Sequence, residues 1–306
     1  MKKELINETV SVIVTTYNRS VYLRECLQSI QNQIFENIEI LVVDDGSNTI
    51  NAKANKLICS HFSKSKYYYK KNTGQPDSRN YGIKRSRGNY IAFCDDDDIW
   101  VKDKLKEQIE LMSTNQNCFV ITADIGFIDE YGKELSNIKS HKGFNSGFIF
   151  KNLLEKNRTS SVVPLLRKEV FDRVGLFNPS YTIAEDWEFW RRVSYYFEFF
   201  YIEKVHAYVR LHASNMTNES IQNTQFGSYI LYRKLTKDLL KWGVGRFSKE
   251  EYILIEDCEW TYVKRILKNQ KGIKGKIIFF AKLFKNNIID GLYLTLLIIK
   301  NLKKYK

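Results

Sequence analysis

The chain has 306 residues, 43% of them hydrophobic and 14% aromatic, with a formal net charge of +13. That is enough for one large domain, or a domain with an appended module, built on a sizeable core. Five scattered cysteines, Cys26, Cys59, Cys94, Cys118 and Cys258, form no C-x-x-C pair, which excludes a disulfide framework or a zinc site and points to reduced thiols in a cytosolic protein.

Where the charge sits narrows the reading further. Thr261 to Lys306 carries twelve Lys and Arg against one acid, Asp290, so +11 of the +13 lies there and the first 260 residues hold +2. Nucleic-acid binding across the whole chain is not indicated, whereas a basic tail is. Met1 to Thr9 carries two acids before a short apolar run, unlike a signal peptide. No stretch reaches the roughly 18 to 20 apolar residues of a spanning helix.

The first half alternates strand-like and helix-like stretches. Val10 to Thr15 is a β-branched run, and Leu23, Leu27 and Ile30 follow at helical spacing. Ile38 to Val43 predicts a second buried strand, and a short helix carrying Ala54, Leu57 and Ile58 leads to a third strand over Lys66 to Lys70. A helix from about Asp77 to Ser86 precedes a fourth strand, Tyr90 to Cys94. Strands alternating with helices predict a mostly parallel α/β sheet wrapped on both faces. Further on, Cys118 to Thr122 predicts a strand, Ile128 to Lys133 a turn, and Trp187, Trp190 and Val193 a buried helical face that starts at Glu185.

Three polar clusters follow strands directly: Thr15 to Arg19, Asp44 to Ser47, and Asp95 to Asp98. In an open parallel sheet, ligands bind outside the carboxyl ends of the strands, so all three should line one edge. The four adjacent carboxylates of the last cluster raise the cost of ionising one another. Capping a helix accounts for one of them. A divalent cation accounts for the run, because hard ions such as Mg or Mn take oxygen ligands and cancel the repulsion; the plain alternative is a solvated Asp-rich turn. Asp186 falls in the first turn of its helix, where the dipole favours negative charge, and Tyr208, Arg210 and His212 alternate onto one face of a late strand.

Val12 to Arg19, Leu41 to Ser47, Asn72 to Gly74 with Ser78 to Gly82, and Gly88 to Trp100 resemble, in order and spacing, the nucleotide-sugar half of family 2 glycosyltransferases with the GT-A fold. Val174 to Phe177, Glu185 to Arg192 and Tyr208 to His212 continue the resemblance through about residue 215. It implies a Rossmann-like GT-A domain over 1–215, with a nucleotide-sugar half (1–115) and an acceptor half (116–215); beyond it, Phe226 to Leu240 and Glu251 to Leu267 read as helical, which with the charge count makes 216–306 a helical basic extension. The resemblance places Thr15, Tyr17 and Arg19 on the nucleotide and Asp45 on the base; Arg79, like Arg19, is by its charge alone a partner for phosphate or base, or else a solvated surface charge. Asp95 and Asp97 match the family's D-x-D, with Asp97 as metal ligand and Asp95 or Asp96 near the ribose and sugar. Asp186 matches the catalytic base of inverting members, and His212 falls where many GT-A enzymes hold a histidine near the metal or diphosphate. The polar stretch Asn157 to Val163 departs from the small Gly-rich turn of many relatives.

The resemblance therefore implies a Mg- or Mn-dependent inverting transfer from a nucleoside diphosphate sugar, most simply a UDP-sugar, to a glycan or lipid-linked glycan in bacterial surface polysaccharide assembly. Two other classes stay open on the residues alone. A nucleotidyltransferase also sets acids at a sheet edge, but its first loop is glycine-rich and Thr15 to Arg19 has no glycine. A non-enzymatic membrane- or nucleic-acid-binding module accounts for the tail but not for the acidic run. The tail interleaves Ile277 to Phe280 and Leu292 to Ile299 with lysines, which predicts peripheral docking on the anionic inner face of a membrane.

Overall fold

The structure, a computed structural model, describes residues 8–135, 146–157, 159–213, 215, 225–270 and 272–303. Its sheet begins with β1 (Val10–Thr16), β2 (Ile38–Asp44), β3 (Ser65–Tyr69) and β4 (Tyr90–Asp95), in the spatial order β3-β2-β1-β4 and all parallel. Every residue of β1 and β2 is buried, which is why both are mostly apolar instead of alternating, with Ser11 and Glu39 the interior exceptions, hydrogen-bonded to each other at 2.6 Å. Between them run α1 (Ser20–Gln31), α2 (Thr49–Ser60) and α3 (Gln75–Arg85).

Alternation along β1 assigns the two faces. Val10, Val12 and Val14 pack with Leu23, Cys26, Leu27 and Ile30 of α1, while Ile13 joins Ile83 of α3 on the other side. The expected short helix is α2, and of its Ala54, Leu57 and Ile58 only Ile58 packs, half-buried, against the core. Leu57 is exposed and the buried residues are Asn55 and Cys59, because the Asn55 amide donates to the buried Asp44 carboxylate at 2.9 Å.

After β5 (Ile99–Trp100) and α4 (Lys104–Thr114), the chain enters β6 (Val120–Ile128), which starts two residues later and runs further than Cys118 to Thr122 suggested. Then come α5 (Phe150–Glu155), β7 (Leu165–Arg167), α6 (Val170–Val174), α7 (Glu185–Tyr196) and β8 (Phe199–Arg210). The full order is β3-β2-β1-β4-β7-β6-β8-β5, with β7 and β5 antiparallel to their neighbours. The inner face of α7 centres on Phe189, Trp190 and Val193; Trp187 is half-buried, its indole N–H on the Leu153 carbonyl at 2.6 Å.

The chain divides into two compact units, residues 1–153 with Asn157–His212, and Leu154–Lys156 with Ala213–Lys306. Most of the polar stretch from Ser214 to Gln225 lies outside the described residues. The second unit holds α8 (Gln225–Trp242), α9 (Lys249–Lys268), α10 (Gly272–Asn286) and α11 (Ile288–Lys303). A capping box between Ser248 and Glu251 opens α9 and satisfies backbone donors that the first turn leaves free. Its core gathers Tyr229, Val263, Ile266, Phe279, Leu283, Leu294 and Leu297. Gly291 lets α11 close on α10, since a Cβ there would meet the Phe284 ring at 2.6 Å. No helix among the described residues is long and apolar enough to cross a membrane.

Candidate active site

The register of the central strands sets the three polar clusters side by side. Thr15 pairs with Asp95 across β1–β4, and Thr16 with Asp44 across β1–β2. The first two loops are then stitched together: the Asn18 backbone N–H donates to the Ser47 hydroxyl at 2.8 Å, and Asn18 Oδ1 accepts from the Asn48 N–H at 2.7 Å. Asn18 has φ 52°, a left-handed conformation that asparagine tolerates better than most residues. Tyr17 beside it is 51% exposed at the mouth of the edge, free to lie against a flat ligand.

Asp45 is held differently from a residue waiting only for a base. Its Oδ1 accepts from the Thr73 N–H at 3.0 Å and from Lys70 Nζ at 2.5 Å, and its Oδ2 accepts from the Gly74 N–H at 2.9 Å. It therefore shapes the loop ahead of α3. Gly46 next to it has φ 80°, and a Cβ there would meet the Asn72 nitrogen at 2.6 Å, so the Asp-Gly turn needs its glycine.

Asp95 to Asp98 form a tight turn closed by the Asp98 N–H on the Asp95 carbonyl at 3.1 Å. Asp95 Oδ1 accepts from Gln75 Nε2 at 2.7 Å and from Arg79 at 3.1 Å. Asp96 is fully buried. Burial pushes its carboxyl up to about 7, Arg19 opposes that and Asp97 adds to it. Asp98 is raised well above the usual range by burial and by Asp97 and Asp95, and its Oδ1 accepts the Arg210 N–H at 3.0 Å. The Arg210 side chain clamps the same turn: Nε donates to the Asp97 carbonyl at 2.9 Å, and Nη2 reaches Glu25 at 2.6 Å.

Arg19 spans the middle of the turn, with Nε 2.8 Å from Asp96 Oδ1 and Nη1 2.9 Å from Asp97 Oδ2. Burial disfavours its charge, but Asp96 and Asp97 outweigh burial and hold its pKa above the usual arginine value. His212, two residues past the end of β8, brings Nε2 to 3.0 Å from Asp97 Oδ2 and lies against the Tyr22 ring. Asp97 and His212 thus present one hard oxygen and one imidazole nitrogen at a single point. Asp96 Oδ2 is buried without a partner among the described residues. These donors fit a divalent cation that takes its remaining ligands from phosphate and water, as Mg and Mn sites commonly do. Among the described residues no three His, Cys, Asp or Glu side chains form a complete cage.

The third part of the site stands on α7. Asp186 Oδ1 accepts the Trp187 N–H at 2.6 Å, and Oδ2 accepts from Asn157 Nδ2 at 3.2 Å. The polar stretch that replaces a Gly-rich turn therefore supplies a hydrogen bond to this carboxylate. A helix start lowers a carboxyl pKa, yet here burial, followed by the charge of Glu185, pushes Asp186 up to about 7, against Arg79 and Asn157. Ala184, which caps α7, has φ 60°. Such a conformation costs a residue with a Cβ about 1–3 kcal/mol, and strain of this kind gathers at functional sites.

Arg79 joins the two sides. It is 2% exposed, lies against the Phe93 and Phe177 rings, and bridges Asp95 Oδ1 at 3.1 Å and Glu185 Oε1 at 2.7 Å. Nη1 and Nη2 of its guanidinium are taken up by these two carboxylates, while Nε has no partner among the described residues. Thr15 donates to Asp95 only at 3.5 Å. Sequence reasoning missed Gln75, Glu185, Asn157 and Lys70 as partners of site carboxylates.

A parallel β3-β2-β1-β4 half-sheet with an acidic turn at the end of β4, continued by a mixed second half, is the GT-A type of glycosyltransferase fold. Solved structures bear that out. S. aureus TarS 1–349 in complex with UDP-GlcNAc matches with TM-score 0.63 at 20% identity, over 85% of this chain and 73% of that one. The mannosyltransferase PcManGT from Pyrobaculum calidifontis, in complex with GDP-Man and Mn2+, matches with TM-score 0.56 at 14% identity, over 99% and 89%. The profile of glycosyl transferase family 2 matches residues 11–175, more than half of the chain, and the chain belongs to that family. An uncharacterized glycosyltransferase of Rickettsia prowazekii is 27% identical over 313 residues, all of this chain and 94% of that protein. One from Rickettsia felis is 38% identical over 156 residues, where 51% of this chain meets only 25% of the longer protein.

Proposed function

We propose that this glycosyltransferase is metal-dependent and inverting, and moves a sugar from a nucleoside diphosphate, UDP in the first instance, to an acceptor hydroxyl. The observation that carries the reading is the Arg79 bridge, which ties Asp95 of the acidic turn to Glu185, the neighbour of Asp186. One buried side chain thus links the donor edge to the one carboxylate on α7 whose pKa, at about 7, suits a general base at neutral pH.

In this reaction the acceptor oxygen bonds to the anomeric carbon while the bond from that carbon to the diphosphate breaks. The electron pair leaves with the nucleoside diphosphate, and the acceptor proton passes to Asp186. Attack from the face opposite the leaving group inverts the configuration. Thr15, Tyr17 and Asp45 hold the nucleotide in line with that attack, and Asp95, the more exposed of the first two acids of the turn, faces its ribose and sugar. Arg19, kept charged by its acidic neighbours, supplies a cation beside the turn for the negative charge that develops on the diphosphate. Asp97 and His212 would hold a Mg or Mn ion, which would supply Lewis-acid neutralisation of the leaving diphosphate.

Support for UDP is the fold shared with TarS, solved with UDP and with UDP-GlcNAc; PcManGT, with GDP-Man and Mn2+, supports a metal and makes GDP the competing nucleotide. The acceptor we assign is a lipid-linked glycan in bacterial surface polysaccharide assembly, met at the inner face of the membrane. Calorimetry with UDP and with GDP, each with and without Mn, tests the donor side. In Asp97→Ala, UDP affinity should lose its Mn dependence and transfer should fall by roughly 10³-fold, the several kcal/mol a Lewis acid supplies. Unchanged metal-linked affinity in the folded variant removes Asp97 from the metal site.

A further inference from the structure

The two apolar clusters of the basic tail divide between opposite faces of their helices. Phe279 and Leu283 of α10, with Leu294 and Leu297 of α11, enter the core of the helical unit. On the far side of α11, Ile289, Leu292, Leu296 and Ile299 form a stripe at intervals of three and four residues, which is one continuous line on a helix. Ile277 and Ile278 of α10 and Ile288 at the start of α11 are exposed as well. All seven side chains are between 45% and 71% exposed. Burial inside the fold therefore accounts for half of the apolar tail and leaves the other half facing water.

Charge identifies what covers it. Lys274, Lys276, Lys282 and Lys285 are exposed on α10, and none forms an ion pair among the described residues, whereas Lys300 on α11 is paired with Glu256. The acid of this hairpin, Asp290, is turned inward to Arg233 and Lys237. A protein partner needs acids matched to particular lysines. A bilayer with anionic headgroups needs only apolar side chains that insert and cations beside them. With 15 and 16 residues, α10 and α11 are too short to span.

We infer that the α10–α11 hairpin is a membrane-docking surface, lying flat on anionic lipid with the Ile289–Ile299 stripe inserted and the α10 lysines at the headgroups. This deepens the membrane part of the function proposed above. It rests on that reading only for its purpose, bringing the site to a lipid-linked acceptor.

Co-sedimentation of the intact chain with phosphatidylcholine vesicles, with and without phosphatidylglycerol, tests it. Binding should be at least about tenfold stronger to the anionic vesicles and should weaken as NaCl rises from about 0.1 M to about 0.5 M. The variant Ile289→Ser/Leu292→Ser/Leu296→Ser removes only exposed side chains, and Lys274→Glu/Lys282→Glu reverses only exposed charge. Each should lower vesicle binding about tenfold or more while UDP affinity, measured on the same preparations, stays unchanged. Equal binding to both vesicle types, or full binding by the lysine variant, overturns the proposal. A dimeric wild type that the serine variant turns monomeric overturns it in favour of a second copy as occupant. Vesicle binding by a wild type that binds no nucleotide keeps the docking surface and removes the donor reading instead.

Discussion

In the helical unit, Arg233 lies between Glu259, which is fully buried, and Asp290, with contacts of 3.2 Å to both acids. Lys237 adds a second cation to Asp290 at 2.5 Å, and the Tyr293 hydroxyl donates to Glu259 at 2.9 Å. Two acids meet two cations there and the network closes on itself. At the strand ends of the α/β unit, Asp95 to Asp98, Glu185 and Asp186 gather around Arg19 and Arg79, while Arg210 spends its charge on Glu25. Six carboxylates meet two guanidiniums, three of those acids are pushed up by burial, and one buried oxygen of Asp96 has no partner among the described residues. Buried charge by itself thus marks no site. An excess of one sign, held in place by the fold at an open sheet edge, does.

The largest expected effect is on the unbalanced side. Asp186→Asn should keep UDP affinity and lose about 10²- to 10⁴-fold in transfer, the usual worth of a general base. In the wild type, transfer should rise with pH through about 7, as Asp186 gives up its proton, and then level off. Stability should move the other way. A carboxyl whose folded-state pKa is raised from 3.8 to about 7 binds its proton more tightly in the folded state, so its contribution falls as pH rises across that window. At pH 8, about one unit above that value, Asp186→Asn should therefore melt above the wild type while barely turning over. Near wild-type transfer by the variant makes Asp186 a helix-start residue and removes the contrast between the two regions.

The balanced network should answer in stability. Glu259→Gln leaves Arg233 short of a charge partner in a buried position, which typically costs about 3–5 kcal/mol. Denaturant unfolding at pH 7 measures it. Unchanged stability together with altered transfer would assign the Arg233 network to function, not to structure.

How much of this was legible in the sequence follows the same division. The strands β1, β2 and β4 and the helix α1 read out because parallel strands buried on both faces and a one-sided helix each write a continuous pattern. The polar clusters at their ends followed from topology. β5 and β7, at two and three residues, are too short to carry any period. The burial of Asn55 on the inner face of α2 could not be read because this polar residue is buried to serve Asp44. The partners of the site carboxylates were equally hidden. Arg79 and Glu185 are 106 positions apart, and nothing local in either segment announces the other. The apolar clusters of the tail read as single blocks, although a helix sends neighbouring residues of one block to opposite sides.

The smallest effect tests the bridge between the donor edge and the base. Arg79 touches Asp95 with one nitrogen and Glu185 with the other, at 3.1 and 2.7 Å. Its guanidinium is buried and both contacts are internal, so the proposed function makes it a positioning residue. Arg79→Met leaves Glu185 without its cation in a buried place and risks the fold, so Arg79→Lys is the sharper variant. Lysine keeps the charge but, as a point cation, cannot serve both carboxylates as the planar fork does. Transfer should drop about tenfold, equal to about 1.4 kcal/mol, with the KM for the donor little changed. The positive charge of Arg79 opposes the rise in the Asp186 pKa, so displacing that charge should move the acid limb of the pH–rate profile to higher pH. A merely structural arginine would lower the amount of folded enzyme and leave that limb where it is. If the limb stays put and donor KM rises steeply, Arg79 belongs on the nucleotide after all, and the strand-end charges are organised by the donor and not by the base.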